Sequence, residues 1–264
     1  MYKLGILGVG KMGGSILNGI LNASLYDKKD ILLCDTYLPT LEKYSELGFN
    51  TTSIVDDVLT NSEIILLSIK PQSFEEALVN AKSYSYKNRC ILTIAAGISI
   101  EYLTKYFTDA TIIRAMPNTP AQINKGVVTI CSNSKNHFFN ECKKIFESIG
   151  KCYEIDESQM DYTIPLNGSM PAYLYAFAKE FIASAVNKGI DYETAKMLTV
   201  ESIISSANMI LDSTDPIDTL ITNVCSKGGT TIAGLDKMYE NNFDKAIDDC
   251  YNACARRSME LNKK

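Results

Sequence analysis

Gly8-Val9-Gly10-Lys11-Met12-Gly13-Gly14 follows the short apolar run Lys3-Leu4-Gly5-Ile6-Leu7 and leads into Ile16, Leu17, Ile20 and Leu21 at helical spacing. Alone, a G-x-G-x-x-G can be no more than a tight strand–helix turn. Between a strand and a helix each glycine has a separate task. Gly8 makes the tight turn, Gly10 lets the backbone approach a pyrophosphate, and Gly13 lets the helix lie against the sheet. The stretch predicts a dinucleotide-binding β-α unit at the start of the chain, with Gly8, Val9, Gly10, Lys11, Met12 and Gly13 around the phosphates.

The next strand, Ile31–Cys34, ends at Asp35, at the distance from the glycines where such folds carry an acid for the ribose hydroxyls. A carboxylate there repels the 2′-phosphate of NADP, and no arginine follows in Thr36-Tyr37-Leu38-Pro39, so NADH is favoured over NADPH. Lys43 is the nearby cation that could reach a phosphate instead. Strand–helix alternation continues through strands 64–69, 90–94, 111–114, 126–131 and 151–155, with helices at 40–47, 73–82, 100–107 and 136–149. Strand 64–69 is apolar on both faces, as a buried parallel strand is. It runs out in Ser68-Ile69-Lys70-Pro71, and strand 90–94 runs out in Ala95-Ala96-Gly97, whose small residues let a flat ring come close. Residues 1–156 thus read as a doubly wound, Rossmann-type NAD(P)-binding domain of an α/β protein.

From Asp156 the strand signal stops. Leu174, Phe177, Phe181 and Ala185 trace one helical face, Asp191 caps a second helix, Asp215-Pro216 opens a third, and Phe243, Ile247, Cys250 and Cys254 lie on the last. Residues 157–264 read as an all-α domain, either a self-contained bundle or an interface interlocking two copies.

Composition narrows the function classes. The chain has 264 residues, 46% hydrophobic and 22% charged, with a net charge of −5 and no basic cluster, which argues against a nucleic-acid partner. No apolar run approaches the roughly 20 residues of a membrane span. The eight cysteines form no Cys-x-x-Cys pair and several sit in apolar patterns. Reduced thiols, no metal and a cytoplasmic protein are expected. His137 is the only histidine and lies in a polar stretch, which leaves no place for a histidine-based triad or metal site.

A second glycine-rich stretch, Asn223-Val224-Cys225-Ser226-Lys227-Gly228-Gly229-Thr230-Thr231, precedes another helical pattern. Such a turn can simply cap a helix. Its glycines and hydroxyls can also hold a small anion against the helix N-terminus. An upstream nicotinamide site needs a wall that holds a small substrate, and this stretch is the best candidate for it.

Together these pieces, with Lys70-Pro71-Gln72, Arg114-Ala115-Met116-Pro117-Asn118-Thr119-Pro120 and Gly168-Ser169-Met170-Pro171-Ala172-Tyr173, resemble the pyrroline-5-carboxylate reductase family over essentially the full length. The resemblance implies a Rossmann domain and a helical dimerisation domain that makes an intertwined homodimer, often the unit of a larger ring. It implies hydride transfer from NAD(P)H to the C=N carbon of 1-pyrroline-5-carboxylate, giving L-proline. It places the substrate carboxylate on Ser226, Gly228, Gly229 and Thr230, Thr231 near the ring nitrogen as the catalytic residue, Asn223 near the nicotinamide, and Glu157 as an acidic residue of the substrate pocket. A protonated cyclic imine is already electrophilic, so its reduction needs positioning more than acid–base help.

Three departures from the family pattern stand out. Lys227 replaces the usual proline, Met170 replaces a glycine, and Pro165 falls where a helix should already be running, implying a kink or a later start. They keep open a reductase of another small cyclic imine, or a late-competence-like paralogue without turnover. A β-hydroxyacid dehydrogenase is disfavoured, because Lys179 is followed four residues later by Ala183 where those enzymes carry asparagine.

Overall fold

The computed structural model describes residues 1–261. Its strands are β1 (Tyr2–Leu7), β2 (Ile31–Cys34), β3 (Asn50–Thr52), β4 (Ser62–Leu67), β5 (Cys90–Thr93), β6 (Thr111–Met116), β7 (Gly126–Ser132) and β8 (Gly150–Glu154). Helices α1 (Lys11–Asn22), α2 (Leu38–Glu46), α3 (Val55–Asn61), α4 (Phe74–Ala77), α5 (Ile100–Thr104) and α6 (His137–Glu147) alternate with them. The strands make one sheet in the order β3-β2-β1-β4-β5-β6-β7-β8. Its first six positions have the dinucleotide-binding order, with the switch point between β1 and β4.

Side chains alternate across the sheet because the strand period is two. Ile64 and Leu66 join the core under α1 and α6, while Ile65 and Leu67 join the opposite core under α3, α4 and α5. All four are at most 1% exposed, each worth about 1.5–3 kcal/mol of burial. Register follows the same logic: Leu4 lies opposite Ile31 on one side and Ile64 on the other. On α1, Gly13, Ile16, Leu17 and Ile20 are buried, the i, i+3, i+4, i+7 spacing of a helix with one apolar face.

Two features of the sheet depart from the sequence reading. β3 was not expected. It is an edge strand of Asn-Thr-Thr, with none of the apolar alternation that announces a strand, and a polar edge is one way sheets avoid unwanted pairing. β7 runs antiparallel to β6. The connection, residues 117–125, is a short 3-10 turn, and a parallel crossover takes about a dozen residues or more. α6 then supplies a full crossover, so β8 returns parallel to β7.

The chain divides into two units, Met1–Pro171 with the end of the last helix from Cys254, and Ala172–Ala253. Residues 157–171, grouped by sequence with the helical half, lie in the first unit. There α7 (Met160–Thr163) buries Met160, and Ile164 packs with it against Met116 and Cys131. Helix formation stops before Pro165 and resumes at α8 (Met170–Val186), the later start that Pro165 implied. Ser258 Oγ donates to Asp161 Oδ1 at 2.6 Å, tying the end of the last helix to α7.

The second unit holds most of α8, then α9 (Tyr192–Asp212), α10 (Ile217–Val224), α11 (Thr230–Glu240) and the first part of α12 (Phe243–Leu261). Asp191 caps α9 by accepting the Thr194 N–H at 2.9 Å. Pro216 sits at the N-cap of α10, one position before the expected N1. The apolar faces are open. Phe181 is 51% exposed, Leu198 63% and Met209 60%, and Ala195 is the buried residue of α9. Exposed apolar area on this scale marks an interaction surface.

Candidate active site

Gly8 and Gly13 do the structural work their spacing implies, and Gly10 stands in open space. Gly8 has φ +90°, and its N–H donates to the Cys34 carbonyl at 2.8 Å, which turns the chain from β1 across the end of β2. A Cβ on Gly13 would meet the Gly8 carbonyl oxygen at 2.3 Å, so only glycine lets α1 sit this close to the loop. Above Gly10 there is nothing within 4 Å of where a side chain would begin. Gly10 is the N-cap of α1 and provides no side-chain acceptor, leaving the first N–H groups of the helix aimed at open space. A pyrophosphate fits there on both counts, space and orphan donors. Lys11 is exposed at the first turn, whereas Met12 packs back onto the core.

Asp35 closes the loop from the other side. Its Oδ2 accepts the Val9 N–H at 2.8 Å and its Oδ1 accepts the Tyr37 N–H at 3.0 Å. Gly8, Asp35, Thr36 and Ile69 line a cleft of about 420 Å³ beside it, a volume suited to part of a dinucleotide. The Lys43 ammonium lies over the Tyr44 ring, 5.6 Å from its centre. The Cys34 thiol next to Asp35 is pushed up to about 11, first by burial and then by the Asp35 charge, so it stays protonated and unreactive.

Along the sheet, Ser68 continues β4 through its N–H to the Leu7 carbonyl at 2.8 Å, Ile69 faces Gly8, and exposed Lys70 precedes the 3-10 turn begun by Pro71. Ala95 and Ala96 follow the end of β5, and Gly97 turns the chain with φ +74°. These residues occupy the carboxyl ends of β4 and β5, where ligands bind in open α/β sheets.

The Arg114–Pro120 stretch is chiefly architectural. Asn118 accepts the Val127 N–H at 2.9 Å and donates to the Asn167 carbonyl at 3.1 Å. Asn167, 3% exposed, donates to the Met116 carbonyl at 2.7 Å. Arg114 pairs with Glu157, Nη1 to Oε1 at 2.8 Å, and the same oxygen accepts the Ile100 N–H at 2.7 Å. Sequence reasoning placed Glu157 in a substrate pocket and missed both of these partners. Arg114 inside an apolar strand was the available signal, since a buried guanidinium requires a counter-charge.

In the second unit, the candidate substrate loop joins α10 to α11. Gly228 has φ +71°, and the Gly229 N–H donates to the Ser226 carbonyl at 2.8 Å. A Cβ on Gly229 would meet the rotatable Ser226 Oγ at 2.3 Å and the Ser226 carbonyl oxygen at 3.0 Å, so the turn is tight there, while the left-handed Gly228 is where it favours glycine. Gly229 is the N-cap of the 11-residue α11 and caps it with no side chain. The capping-turn reading and the anion reading are therefore compatible: the turn starts the helix and leaves its first donors free. Thr230 and Thr231 are the first two residues of α11, and Lys227 is exposed. Asn223 and Thr231 line one cleft of about 410 Å³ together with apolar residues of α9, α10 and α11 such as Ile210 and Leu220.

Comparison with known proteins agrees over the full length. Residues 3–97 match the domain family described as NADP oxidoreductase, coenzyme F420-dependent, and residues 157–261 match pyrroline-5-carboxylate reductase dimerisation. Pyrroline-5-carboxylate reductase 2 of Bacillus subtilis is 30% identical, with 99% of this chain and 95% of that one covered. The chain belongs to the pyrroline-5-carboxylate reductase family. The crystal structure of Plasmodium falciparum pyrroline carboxylate reductase with NADP bound superposes with a TM-score of 0.89 at 28% identity, covering 99% of this chain and 98% of that one. That of the Streptococcus pyogenes enzyme does so at 0.86 and 27%, with 98% of each chain covered.

As a pyrroline-5-carboxylate reductase family member the chain is a nicotinamide-dependent oxidoreductase that self-associates. The dimerisation match covers the helices whose apolar faces stand open. All eight cysteines are free. Burial pushes Cys131 up to about 11 and Cys152 up to about 12, so these thiols have no nucleophilic part in the chemistry. Among the described residues no helix is long and apolar enough to cross a membrane.

Proposed function

We propose that this protein reduces 1-pyrroline-5-carboxylate to L-proline in the cytoplasm, the last step of proline biosynthesis, with NADH preferred over NADPH. The observation that carries the substrate class is the α10–α11 turn. Gly228 in the left-handed region and uncapped Gly229 leave backbone N–H groups and the Ser226, Thr230 and Thr231 hydroxyls beside a helix N-terminus. That is equipment for one carboxylate.

The bound nicotinamide supplies the hydride. The chain's own residues orient the partners. Ser226, Gly228, Gly229 and Thr230 hold the substrate carboxylate, and Thr231 fixes the ring nitrogen through its hydroxyl. Asn223, which shares a cleft with Thr231, orients the nicotinamide amide. Gly8 to Gly13 hold the pyrophosphate. Ser68, Ile69, Lys70, Pro71, Ala95 and Ala96 shape the nicotinamide side, and Asp35 accepts the ribose hydroxyls. Because the imine is protonated before it reacts, its carbon takes the hydride without a general acid, which suits a site built of hydroxyls and amides.

NADH preference rests on Asp35. Two backbone N–H groups hold its carboxylate in place, and Thr36 to Glu42 contain no cation to offset it against a 2′-phosphate. Lys227, exposed within the substrate loop, leaves the turn geometry to the glycines. The experiment is oxidation of NADH and of NADPH by the purified protein on addition of 1-pyrroline-5-carboxylate. Turnover with NADH as the better donor is expected, and equal use of the two removes the cofactor part of the proposal.

A further inference from the structure

We propose that Glu157 is a positioning residue for the nicotinamide side of the cofactor site, acting through the turn between β5 and α5, rather than a substrate-binding acid; this rests on the oxidoreductase reading above.

Three separated pieces of chain meet at one oxygen. Glu157 Oε1 accepts from Arg114 Nη1 at 2.8 Å and from the Ile100 N–H at 2.7 Å. Arg114 belongs to β6, held between Thr93 of β5 and Cys131 of β7. Ile100 is the first residue of α5 and ends the turn that begins at Ala95. Glu157 opens the 3-10 turn that follows β8. The Arg114 side chain is 5% exposed and that of Glu157 36%, so the pair sits at the rim of the interior with its cation inside.

An apolar seat lies under the same turn. Ala96 and Ile100 pack against Met116, Cys131, Met160 and Ile164. The seat fixes the turn's depth, and the Glu157 hydrogen bond fixes the direction of the first N–H of α5. Between them they set where Ala95, Ala96 and Gly97 stand at the carboxyl end of β5. Position on this scale decides whether a planar ring can lie against the backbone. A free acid in a substrate pocket would turn its oxygens toward solvent, whereas here two protein donors converge on one of them.

The charge matters separately from the hydrogen bond. A glutamine at 157 can still accept the Ile100 N–H but leaves a nearly buried guanidinium without a counter-charge, and such a group seeks water or another acceptor. Arg114 would then pull at the turn from beneath.

The test is Glu157→Gln in the full-length protein. The dissociation constant for reduced nicotinamide cofactor is read from nicotinamide fluorescence without substrate, and KM for 1-pyrroline-5-carboxylate is read at saturating cofactor. The expected result is a cofactor dissociation constant raised about 5- to 10-fold, with substrate KM within about 2-fold of the parent. Adding Arg114→Met to Glu157→Gln should bring the cofactor constant back to within about 3-fold, since the unpaired charge is gone. A substrate KM that rises more than the cofactor constant overturns the proposal. So does a lowered melting temperature with both constants unchanged, the mark of a purely structural ion pair. Cofactor binding needs no turnover, so an inactive parent protein would sink the functional reading and still leave the cofactor dissociation constants and melting temperatures of the parent and both variants to decide this one.

Discussion

Asp35 Oδ2 accepts the Val9 N–H at 2.8 Å, which builds the acid at the end of β2 into the glycine loop itself. The residue proposed to select the ribose therefore also braces the loop proposed to hold the phosphates. Asp35→Ser should act on both. The ratio of kcat/KM for NADPH over NADH should rise about 10-fold, or ~1.4 kcal/mol, while affinity for NADH falls. A ratio that does not move removes Asp35 from cofactor selection.

Thr231 stands at the second position of α11 and lines a cleft with Asn223. Thr231→Ala removes one charge-assisted hydrogen bond to the protonated ring nitrogen, about 1.5–3 kcal/mol, so substrate KM should rise about 10-fold or more. Cofactor affinity measured without substrate should stay at the parent value. Parent kinetics in the variant would take Thr231 out of the site.

Arg89, 8% exposed, crosses to the end of α3, where its Nη1 donates to the Leu59 carbonyl at 2.6 Å and its Nη2 donates to the Thr60 carbonyl. It caps carbonyls that the helix cannot satisfy itself. Arg89→Ala should destabilise the protein by roughly 2–3 kcal/mol, read as a lower urea midpoint at unchanged slope, with kcat at 25 °C preserved. An unchanged midpoint would mean that water serves those carbonyls equally well.

Asp109 links two segments that enter the sheet. Ser85 Oγ donates to its Oδ2 at 2.8 Å and the Tyr86 N–H donates to its Oδ1 at 2.9 Å. The Ser85 hydroxyl first, then the Tyr86 amide, hold its carboxyl below the ordinary 3.8. A depressed folded-state value means stability present above the unfolded pKa and lost as pH falls through the folded one. Asp109→Asn should therefore be less stable than the parent at pH 7, and the gap should close as pH drops below about 4. Urea midpoints across that range check it, and a gap independent of pH refutes the assignment.

The glycine loop was legible because its demands are local: a left-handed turn at Gly8 and a missing Cβ at Gly13 leave their mark within six residues. The hydrogen bond from Asp35 to Val9, 26 residues away along the chain, was not legible, but Asp35 itself was, as the acid at the end of β2. β3 was not, because Asn50, Thr51 and Thr52 are held by backbone pairing to Leu32, Leu33 and Cys34 and carry no apolar signal of their own. The apolar run of β7 reads the same in either direction, and its direction is set by the shortness of the preceding turn. The Glu157 contacts were hidden because Arg114 lies 43 residues and Ile100 57 residues away along the chain. In the helical half the apolar faces could be read but not what covers them, since a face that meets a second copy carries the same residues as one that meets its own core.

The central claim is hydride transfer to a cyclic imino acid. The most direct measurement incubates the purified protein with 1-pyrroline-5-carboxylate and either reduced nicotinamide, following cofactor oxidation and L-proline together. The account predicts one L-proline formed per NADH oxidised, with NADPH the poorer donor. Binding of both nicotinamides with no L-proline formed from either would contradict it.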